Sequence, residues 1–365
     1  MAKFSEVLTI VNGRNQKQVV CDDGKYPIYG SGGIMGYAND YICKAETVVI
    51  GRKGSINKPI FVETPFWNVD TAFGLCANSE KLNPKYLYYF CEKFDFEKLN
   101  TTVTIPSLTK SNLLNVEIPL PNLEKQKQIV ELLDKVTSLI FLRKQQLSKF
   151  DELVKARFVE MFGDVLLNSM QWPEKTLENM ADIVSGITKG RKTAEADLQE
   201  VPYMAVSNVK DGYIDWTTVK TILATRQEIE QYRLMPDDIL MTEGGDPDKV
   251  GRGAIIKMPL KNSIHQNHIF RVRLDEQEIL PSFFAEYLRH QKAKRYFLGC
   301  AKQTTGIASI NMRQLRALPT LVPPLSLQKQ FAAFVERVDQ QKQTVQQGLE
   351  KLELMKKALM QEYFG

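Results

Sequence analysis

The sequence contains few of the features by which membrane, secreted and redox proteins are recognised. Its 365 residues include no run of about 18 uncharged apolar residues, so no segment is expected to span a membrane. The N-terminal stretch MAKFSEVLTI has no basic segment followed by a long apolar run, so no secretory signal is expected. The five cysteines are scattered and form no CxxC pair, which favours the reducing cytoplasm over a disulfide framework.

Motifs for catalysis are also missing. The segment GRKGSINK (51–58) lacks the spacing of a GxxxxGK[ST] nucleotide loop, and no GxGxxG follows a predicted strand. No Asn/Asp-Pro-Pro-aromatic tetrapeptide, which amino-methyltransferases use, is present. His265 and His268 lie three residues apart without a third ligand at suitable spacing, so no metal site is expected. Because no nucleophile is accompanied by a base, we predict no catalytic residue and expect the chain not to be an enzyme.

Charge is nearly balanced along the chain. Lysine and arginine number 48 against 43 aspartate and glutamate residues, which gives a net charge of +5. The excess is spread thinly over the sequence. Such a balance permits nucleic-acid binding without indicating it, so any DNA-binding surface has to be local.

An internal repeat is the strongest feature that the sequence does contain. The segments LEKQKQIV (123–130) and LSLQKQFA (325–332) both carry QKQ, and the match extends without a gap over 121–163 and 323–365 at an offset of 202. Of these 43 aligned positions, 14 are identical, including a proline at the start and Phe-Gly at the end. Helix composition alone does not explain the shared ends, so the repeat indicates an internal duplication.

Each repeated segment predicts a long helix. Apolar residues from Ile129 to Met161, and from Phe331 to Tyr363, follow alternating steps of four and three, which is the pattern of a coiled-coil seam. Prolines precede both helices, and Gly163 and Gly365 follow them, where glycine caps a helix. If each helix leaves its domain in the same way, the two run antiparallel and bury their seams against each other. The alternative is that each helix packs on its own domain.

The fold class that follows is α+β. Two α/β domains, 1–120 and 164–320, are separated by two long antiparallel helices, 121–163 and 321–365, which form a coiled coil with pseudo-two-fold symmetry. Each domain contains an aromatic-rich stretch, Pro84–Lys98 and Pro281–Leu298, which at helical spacing is predicted to be core and not a base-stacking surface.

Glycine-rich turns with polar side chains mark the candidate contact residues. They allow backbone N–H groups and short side chains to approach phosphates or base edges, although such turns are more often only turns. Arginine and lysine suit phosphate or guanine, and glutamine and asparagine suit adenine. The first-domain candidates are Ser31, Gly32, Arg52, Lys53, Ser55, Asp70, Thr104 and Ser107. The second-domain candidates are Lys189, Arg191, Ser207, Asn208, Thr242, Glu243, Asp246, Arg252, Gln266, Asn267 and Gln303. Asp70 and Asn208 are equally suited to stabilising turns.

The combination of segments resembles the DNA specificity subunits of type I restriction–modification systems. IPLPNLEKQKQIVELLDKV (118–136) and LVPPLSLQKQFAAFVERVD (321–339) are similar to the regions that open that family's long helices. YGSGGIMGY (29–37), VIGRKGSI (49–56) and VDTAF (69–73) resemble one type of target recognition domain. VPYMAVSNV (201–209), ILMTEGGDPDKVGR (239–252) and QNHIFRVR (266–273) resemble another.

The resemblance implies that each target recognition domain binds one half of a split DNA site and that the helices set the distance between the halves. It implies double-stranded DNA, two modification (methyltransferase) subunits and two restriction (translocase and nuclease) subunits as partners. S-adenosylmethionine, ATP and Mg²⁺ are then used by the partners, and this chain is expected to hold no cofactor. The expected location is cytoplasmic.

Three alternatives remain open on the sequence. The chain is also compatible with a specificity subunit that serves a fused restriction–methylation enzyme, because the difference lies in the partner. A second alternative is an enzyme that binds a phosphorylated substrate through the loop 51–54. It would leave the helix duplication unexplained. A coiled-coil scaffold unrelated to DNA predicts that Arg52 and Arg252 are dispensable for all binding.

Overall fold

The computed structural model describes residues 1–100, 107–191, 198–246, 249–304 and 306–365. Contacts divide the chain into two compact units: Met1–Gln146 with Val345–Gly365, here called the first unit, and Leu147–Thr344, the second unit. The division falls inside both long helices, whereas the sequence places its boundaries at the helix ends. Each unit mixes helices with small sheets, in agreement with the predicted α+β class. Among the described residues, no helix combines the length and hydropathy needed to cross a membrane.

The elements up to the first long helix alternate short strands with short helices. The strands are β1 (Ala2–Lys3), β2 (Leu8–Asn12), β3 (Tyr26–Gly30), β4 (Gly33–Ala38), β5 (Thr47–Gly51), β6 (Ile60–Val62), β7 (Trp67–Asn68), β8 (Ala72–Ala77) and β9 (Glu117–Ile118). The α-helices are α1 (Phe4–Val7), α2 (Pro84–Lys93), α3 (Lys110–Leu114) and the long α4 (Leu123–Phe162). A 3₁₀ helix covers Phe96–Leu99.

The rest of the chain follows a similar plan. Its strands are β10 (Glu174–Thr176), β11 (Ala181–Ser185), β12 (Gln199–Met204), β13 (Lys220–Ala224), β14 (Ile239–Thr242), β15 (Gly244–Gly245), β16 (Gly253–Ile255), β17 (Ile264–His265), β18 (Ile269–Leu274), β19 (Lys302–Thr304), β20 (Ile307–Ser309) and β21 (Pro319–Leu321). Its α-helices are α5 (Arg226–Tyr232), α6 (Pro281–Arg289), α7 (Gln291–Cys300), α8 (Met312–Arg316) and α9 (Leu325–Phe364). Two 3₁₀ helices cover Leu177–Asn179 and Val206–Asn208.

The two units share one sheet topology. A four-stranded antiparallel sheet has the order β2-β8-β5-β6 in the first unit and β11-β18-β14-β16 in the second. A three-stranded sheet has the order β4-β3-β7 in the first and β13-β12-β17 in the second. In both three-stranded sheets the central strand pairs antiparallel with the next strand along the chain and parallel with the third. The duplication therefore includes the sheets of the two units, which the gap-free sequence repeat over 121–163 and 323–365 does not cover.

The long helices match the predicted repeat. Both contain 40 residues, and their starts and ends are separated by the same offset of 202. Within the second unit they run antiparallel, because Asp151 pairs with Lys342 at 2.7 Å and Phe158 packs on Phe331. Within the first unit Lys144 Nζ lies 2.7 Å from Glu353 Oε1. Leu133 of that unit shares a buried cluster with Met360. The predicted antiparallel direction is confirmed in each unit.

The aromatic stretches are core, as predicted. Tyr86, Tyr89 and Phe90 of α2 are buried in the main cluster of the first unit. Phe283, Phe284 and Tyr287 of α6 are buried in that of the second unit. The seam pattern overlooks Phe158, which is fully buried and packs against Phe162, Phe283 and Phe331.

Candidate nucleic-acid interface

Three loops of the first unit are tied together at one edge of its sheets. Arg52, the residue after β5, donates its backbone N–H to the carbonyl of Thr71 at 2.8 Å. The carbonyl of Arg52 accepts from the N–H of Leu108 at 2.9 Å, and Lys53 pairs with Ser107 in an isolated β-bridge. The buried strand β5 therefore ends at a cluster of three loops that backbone hydrogen bonds hold together.

The second unit repeats this arrangement. Glu243, the residue after β14, donates its backbone N–H to the carbonyl of His268 at 3.0 Å. Its carbonyl accepts from the N–H of Ile310 at 2.8 Å, and the next residue, Gly244, pairs with Ser309. Glu243 is therefore the structural equivalent of Arg52, and His268 is the equivalent of Thr71.

The two equivalent positions differ in chemistry. The exposed guanidinium of Arg52 lies 5.8 Å from the ring centroid of Phe73, which supports it from one side. Glu243 Oε2 lies 2.6 Å from His268 Nδ1, and His268 Nε2 lies 3.4 Å from Asn267 Nδ2. Arginine offers only donors, whereas a carboxylate offers only acceptors and fixes the orientation of the exposed imidazole.

Glycine is required where the loops meet. A Cβ on Gly13 would lie 1.7 Å from the carbonyl oxygen of Val69, and one on Gly186 would lie 2.0 Å from that of His265. Both glycines follow the first strand of a four-stranded sheet, so the close approach is duplicated with the topology.

Most first-unit candidates lie on these loops. Arg52, Lys53, Ser55, Asp70 and Gly32 are exposed, and Ser31 and Ser107 are partly buried. Ser107 N–H donates to Asn100 Oδ1 at 3.0 Å, so its backbone shapes the loop. Thr104 lies outside the described residues.

The second-unit candidates divide into surface and scaffold positions. The exposed or partly exposed members are Lys189, Ser207, Glu243, Asp246, Arg252, Gln266 and Asn267. Asp246 is ion-paired with Lys249, which holds the pKa of its carboxyl below the usual range. Gln266 Oε1 accepts from the N–H of Val206 at 3.4 Å. Gln303 lies in β19, and the prediction for its side chain falls outside the described part of the structure.

Three of the predicted contact residues are buried or already paired within the second unit. Asn208 is 3% exposed, and its amide donates to the carbonyls of Asp215 and Thr218. Thr242 is fully buried at the end of β14. Arg191 donates through Nε and Nη2 to the two carboxylate oxygens of Glu228, both at 2.5 Å, so its charge is already paired.

One residue of the loop cluster was not among the sequence candidates. In the sequence, the spacing of His265 and His268 raises only the question of a metal site. The place of His268 beside Gln266 and Asn267 in QNHIF is the available indication of a contact role. Within the described residues, no group of three His, Cys, Asp or Glu side chains is placed to hold a metal ion.

Comparison with known proteins matches a single family over both halves of the chain. The family model described as type I restriction modification DNA specificity domain matches residues 1–150 and 170–354. The chain is 22% identical over 307 residues to the type I restriction enzyme EcoKI specificity subunit of Escherichia coli, with 80% of this chain covered. It is 26% identical over 309 residues to the StySPI specificity subunit of Salmonella potsdam, again with 80% of this chain covered.

These two relatives are longer, and the chain spans 65% of the length of each. Among solved structures, the S subunit of a type I restriction–modification system from M. genitalium has the same fold, with a TM-score of 0.61 and 18% sequence identity. That match covers 100% of this chain and 95% of the other.

Proposed function

Since the chain belongs to the type I restriction modification DNA specificity family, we propose that it is the sequence-recognition subunit of such a complex. Each unit recognises one half of a bipartite DNA site through the loop cluster that follows β5 or β14. The observation that carries the proposal is the duplicated loop geometry, in which Arg52 and Glu243 occupy equivalent positions with opposite charge. The chain itself is non-catalytic and works in the cytoplasm, where the DNA that it binds is located.

The chemistry of the loops supports two different half-sites. Arg52 and Lys53 donate hydrogen bonds and suit a guanine edge or phosphates. Glu243 accepts hydrogen bonds, as the exposed amino groups of cytosine and adenine require, and orients His268 beside it. A duplicated scaffold with unlike side chains at one position thus favours an asymmetric site over a palindrome.

The long helices supply the remaining parts of the proposal. They hold the two half-site readers at a constant spacing, and their outer faces dock two methyltransferase subunits. Exposed apolar side chains on α4 support docking, because large apolar residues left exposed on one helix are suited to protein contacts. In the first unit these are Leu132, Leu139, Phe141 and Leu142. Two restriction subunits then join, and the partners use S-adenosylmethionine, ATP and Mg²⁺.

The proposal is tested by mapping the methylated adenines of the genome. Cells that carry this gene with its neighbouring methyltransferase gene are compared by long-read detection of N6-methyladenine with cells that lack this gene alone. A split motif with a constant gap should be present in the first strain and absent from the second. No change in any motif would contradict DNA recognition by this chain.

The role of the helices has its own test. Replacing Leu133 or Leu349 by Asp places a charge in a buried helix contact and should abolish co-purification of the methyltransferase. Retention of the partner by a folded variant would contradict docking on the paired helices. Identification of the co-purified chain distinguishes a separate methyltransferase from a fused restriction–methylation enzyme.

A further inference from the structure

The second unit contains a cavity that the DNA-recognition proposal does not use. Its volume is about 460 Å³, within the range of small-molecule sites, which is roughly 300–1,000 Å³. Its walls include Val154 of α4, Ser282, Glu286 and Arg289 of α6, and Asp339 of α9. All of these residues belong to the second unit.

The internal repeat shows what occupies the same place in the first unit. Gln126 binds the backbone N–H of Asn83 before α2, and Gln328 binds that of Leu280 before α6, which fixes the alignment of the two short helices. The long helices align at the offset of 202. The equivalent pairs are Lys85 and Ser282, Tyr89 and Glu286, Glu92 and Arg289, Thr137 and Asp339, and Lys356 and Val154.

In the first unit these positions are filled by two lysine side chains and a tyrosine. Lys356 Nζ lies 3.1 Å from Glu92 Oε2 and 5.6 Å from the ring centroid of Tyr89. Lys85 Nζ lies 2.9 Å from Asp134 Oδ2, and Tyr89 donates its hydroxyl to Asp134 Oδ1 at 2.7 Å. Both lysines are paired with carboxylates, so this cluster is neutral.

The second unit has neither lysine, and Arg289 stands in place of Glu92, the carboxylate that pairs with Lys356. Serine and valine replace the lysines, and Glu286, which is 5% exposed, replaces the tyrosine. Glu286 Oε2 accepts from Arg289 Nη1 at 3.1 Å, whereas Oε1 makes no hydrogen bond within the described residues. His290 Nε2 lies 3.6 Å from that oxygen, beyond hydrogen-bond distance.

The rest of the cavity wall does not compensate for this change. Its carboxylates are Asp151, Asp211, Glu286 and Asp339, and its cations are Lys257, Arg289 and Lys342. Lys342 is paired with Asp151 at 2.7 Å and Lys257 with Asp237 at 3.0 Å. Arg289 is shared between Glu286 and Asp211, and Asp211 also lies 3.7 Å from Lys294. Burial raises the pKa of Asp339, because a carboxylate away from water is less stable in its charged form. With the partners Asp237 and Lys294 included, five carboxylates face four cations, so one negative charge is in excess.

We propose that this cavity binds an organic cation with a primary ammonium group on a flexible alkyl chain. The ammonium group contacts the unpaired Oε1 of Glu286 and the carboxylate of Asp339, both of which line the cavity. The apolar walls, Val154, Ala285 and Val335, cover the alkyl chain. The same chemistry is supplied by a free diamine or by a lysine side chain of a bound protein.

Isothermal titration of the full chain, without DNA, tests the proposal. The probes are 1,4-diaminobutane, N-acetyl-lysine methylamide and the neutral isostere 1,4-butanediol. We expect one of the two amines to bind one site per chain and the diol not to bind. Tighter binding of the diamine identifies a free small cation, and tighter binding of the lysine amide identifies a partner side chain. Binding of neither amine, or equal binding of the diol, overturns the proposal.

Variants locate the site. Glu286→Gln removes the carboxylate at constant shape and should weaken amine binding at least about tenfold. Ser282→Lys restores the lysine of the first unit at a half-buried rim position and should abolish binding by filling the cavity. Glu131→Gln, an exposed carboxylate on α4, is the matched control and should bind as the parent does. Equal binding by all folded variants would place the amine elsewhere and contradict the assignment. If Glu286→Gln does not fold, amine binding by Ser282→Lys still tests whether this cavity is the site.

Discussion

The side-chain carbonyl of Gln328 accepts a hydrogen bond from the backbone N–H of Leu280 at 2.8 Å. The Nε2 group of the same fully buried residue donates to the carbonyls of Pro323 and Glu278 at 2.7 and 3.2 Å. Gln126 makes the equivalent three bonds in the first unit, to Asn83, Pro121 and Lys81. The first glutamine of each QKQ therefore joins the start of a long helix to the loop before a short one.

Replacing Gln328 by Met should destabilise the second unit. Methionine has a similar length but leaves one N–H and two carbonyls without partners, and each buried unpaired group costs about 1–3 kcal/mol. We expect a loss of at least about 3 kcal/mol in the free energy of unfolding, measured by urea denaturation. Gln330→Met, at the exposed second glutamine of the motif, is the control and should change stability by less than about 0.5 kcal/mol. Equal effects at both positions would contradict the role of the buried amide.

The helices could be predicted because their pattern is local. A heptad seam, a preceding proline and a closing glycine lie within one segment, so α4 and α9 are visible in the sequence. The sheet duplication is not, because strands are held by contacts between distant residues. β5 reads TVVIG and β14 reads ILMT, and both are buried and apolar without being alike in sequence. Their equivalence emerges only from strand order and backbone hydrogen bonds.

The candidate site was partly predictable for the same reason. Arg52 and Lys53 were found because a glycine-rich turn with basic residues is itself the signal. Arg191 gave that signal too, but its charge is paired by Glu228, which lies 37 residues later in a capping box at the start of α5. A distant partner of this kind cannot be identified from the turn alone.

The protein should lose stability at acidic pH because His265 takes up a proton on unfolding. Burial lowers the pKa of this residue from its ordinary value of 6.5 to about 4. Between these values the unfolded chain binds a proton that the folded chain does not, so stability is complete above about pH 6.5 and is lost as the pH falls towards 4. The expected loss is about 3 kcal/mol, measured as the free energy of unfolding between pH 7 and pH 4.

The His265→Gln variant isolates this contribution. Glutamine cannot titrate, so the variant should lose less stability than the parent over the same pH interval. Gln330→Met is the control, because neither side chain at this exposed position titrates and the pH dependence of the parent should be retained. An unchanged slope in the His265→Gln variant would show that another group causes the acid sensitivity.

Substitutions of Arg191 and Lys189 should affect stability and DNA affinity separately. Arg191→Met breaks a bidentate pair in which both side chains are 21% exposed, and should cost about 1–2 kcal/mol of unfolding free energy. Lys189→Met, two residues away and exposed, should leave stability unchanged and weaken DNA binding with a smaller salt dependence. Thermal denaturation and DNA titration at two salt concentrations measure both effects. The opposite pattern would mean that Arg191, and not Lys189, contacts the DNA.

The equivalent positions Arg52 and Glu243 should control different halves of the DNA site. Arg52→Gln removes a donor pair from the first loop cluster, and Glu243→Gln removes the acceptor that orients His268 in the second. If each contacts a base, each variant should lose about 1–3 kcal/mol of discrimination in one half-site only. Binding to duplexes randomised in one half at a time measures the loss, with Arg143→Gln, exposed on α4, as the control. Uniform weakening across all sequences would assign the residues to phosphates, because phosphate contacts position a protein without discriminating between bases.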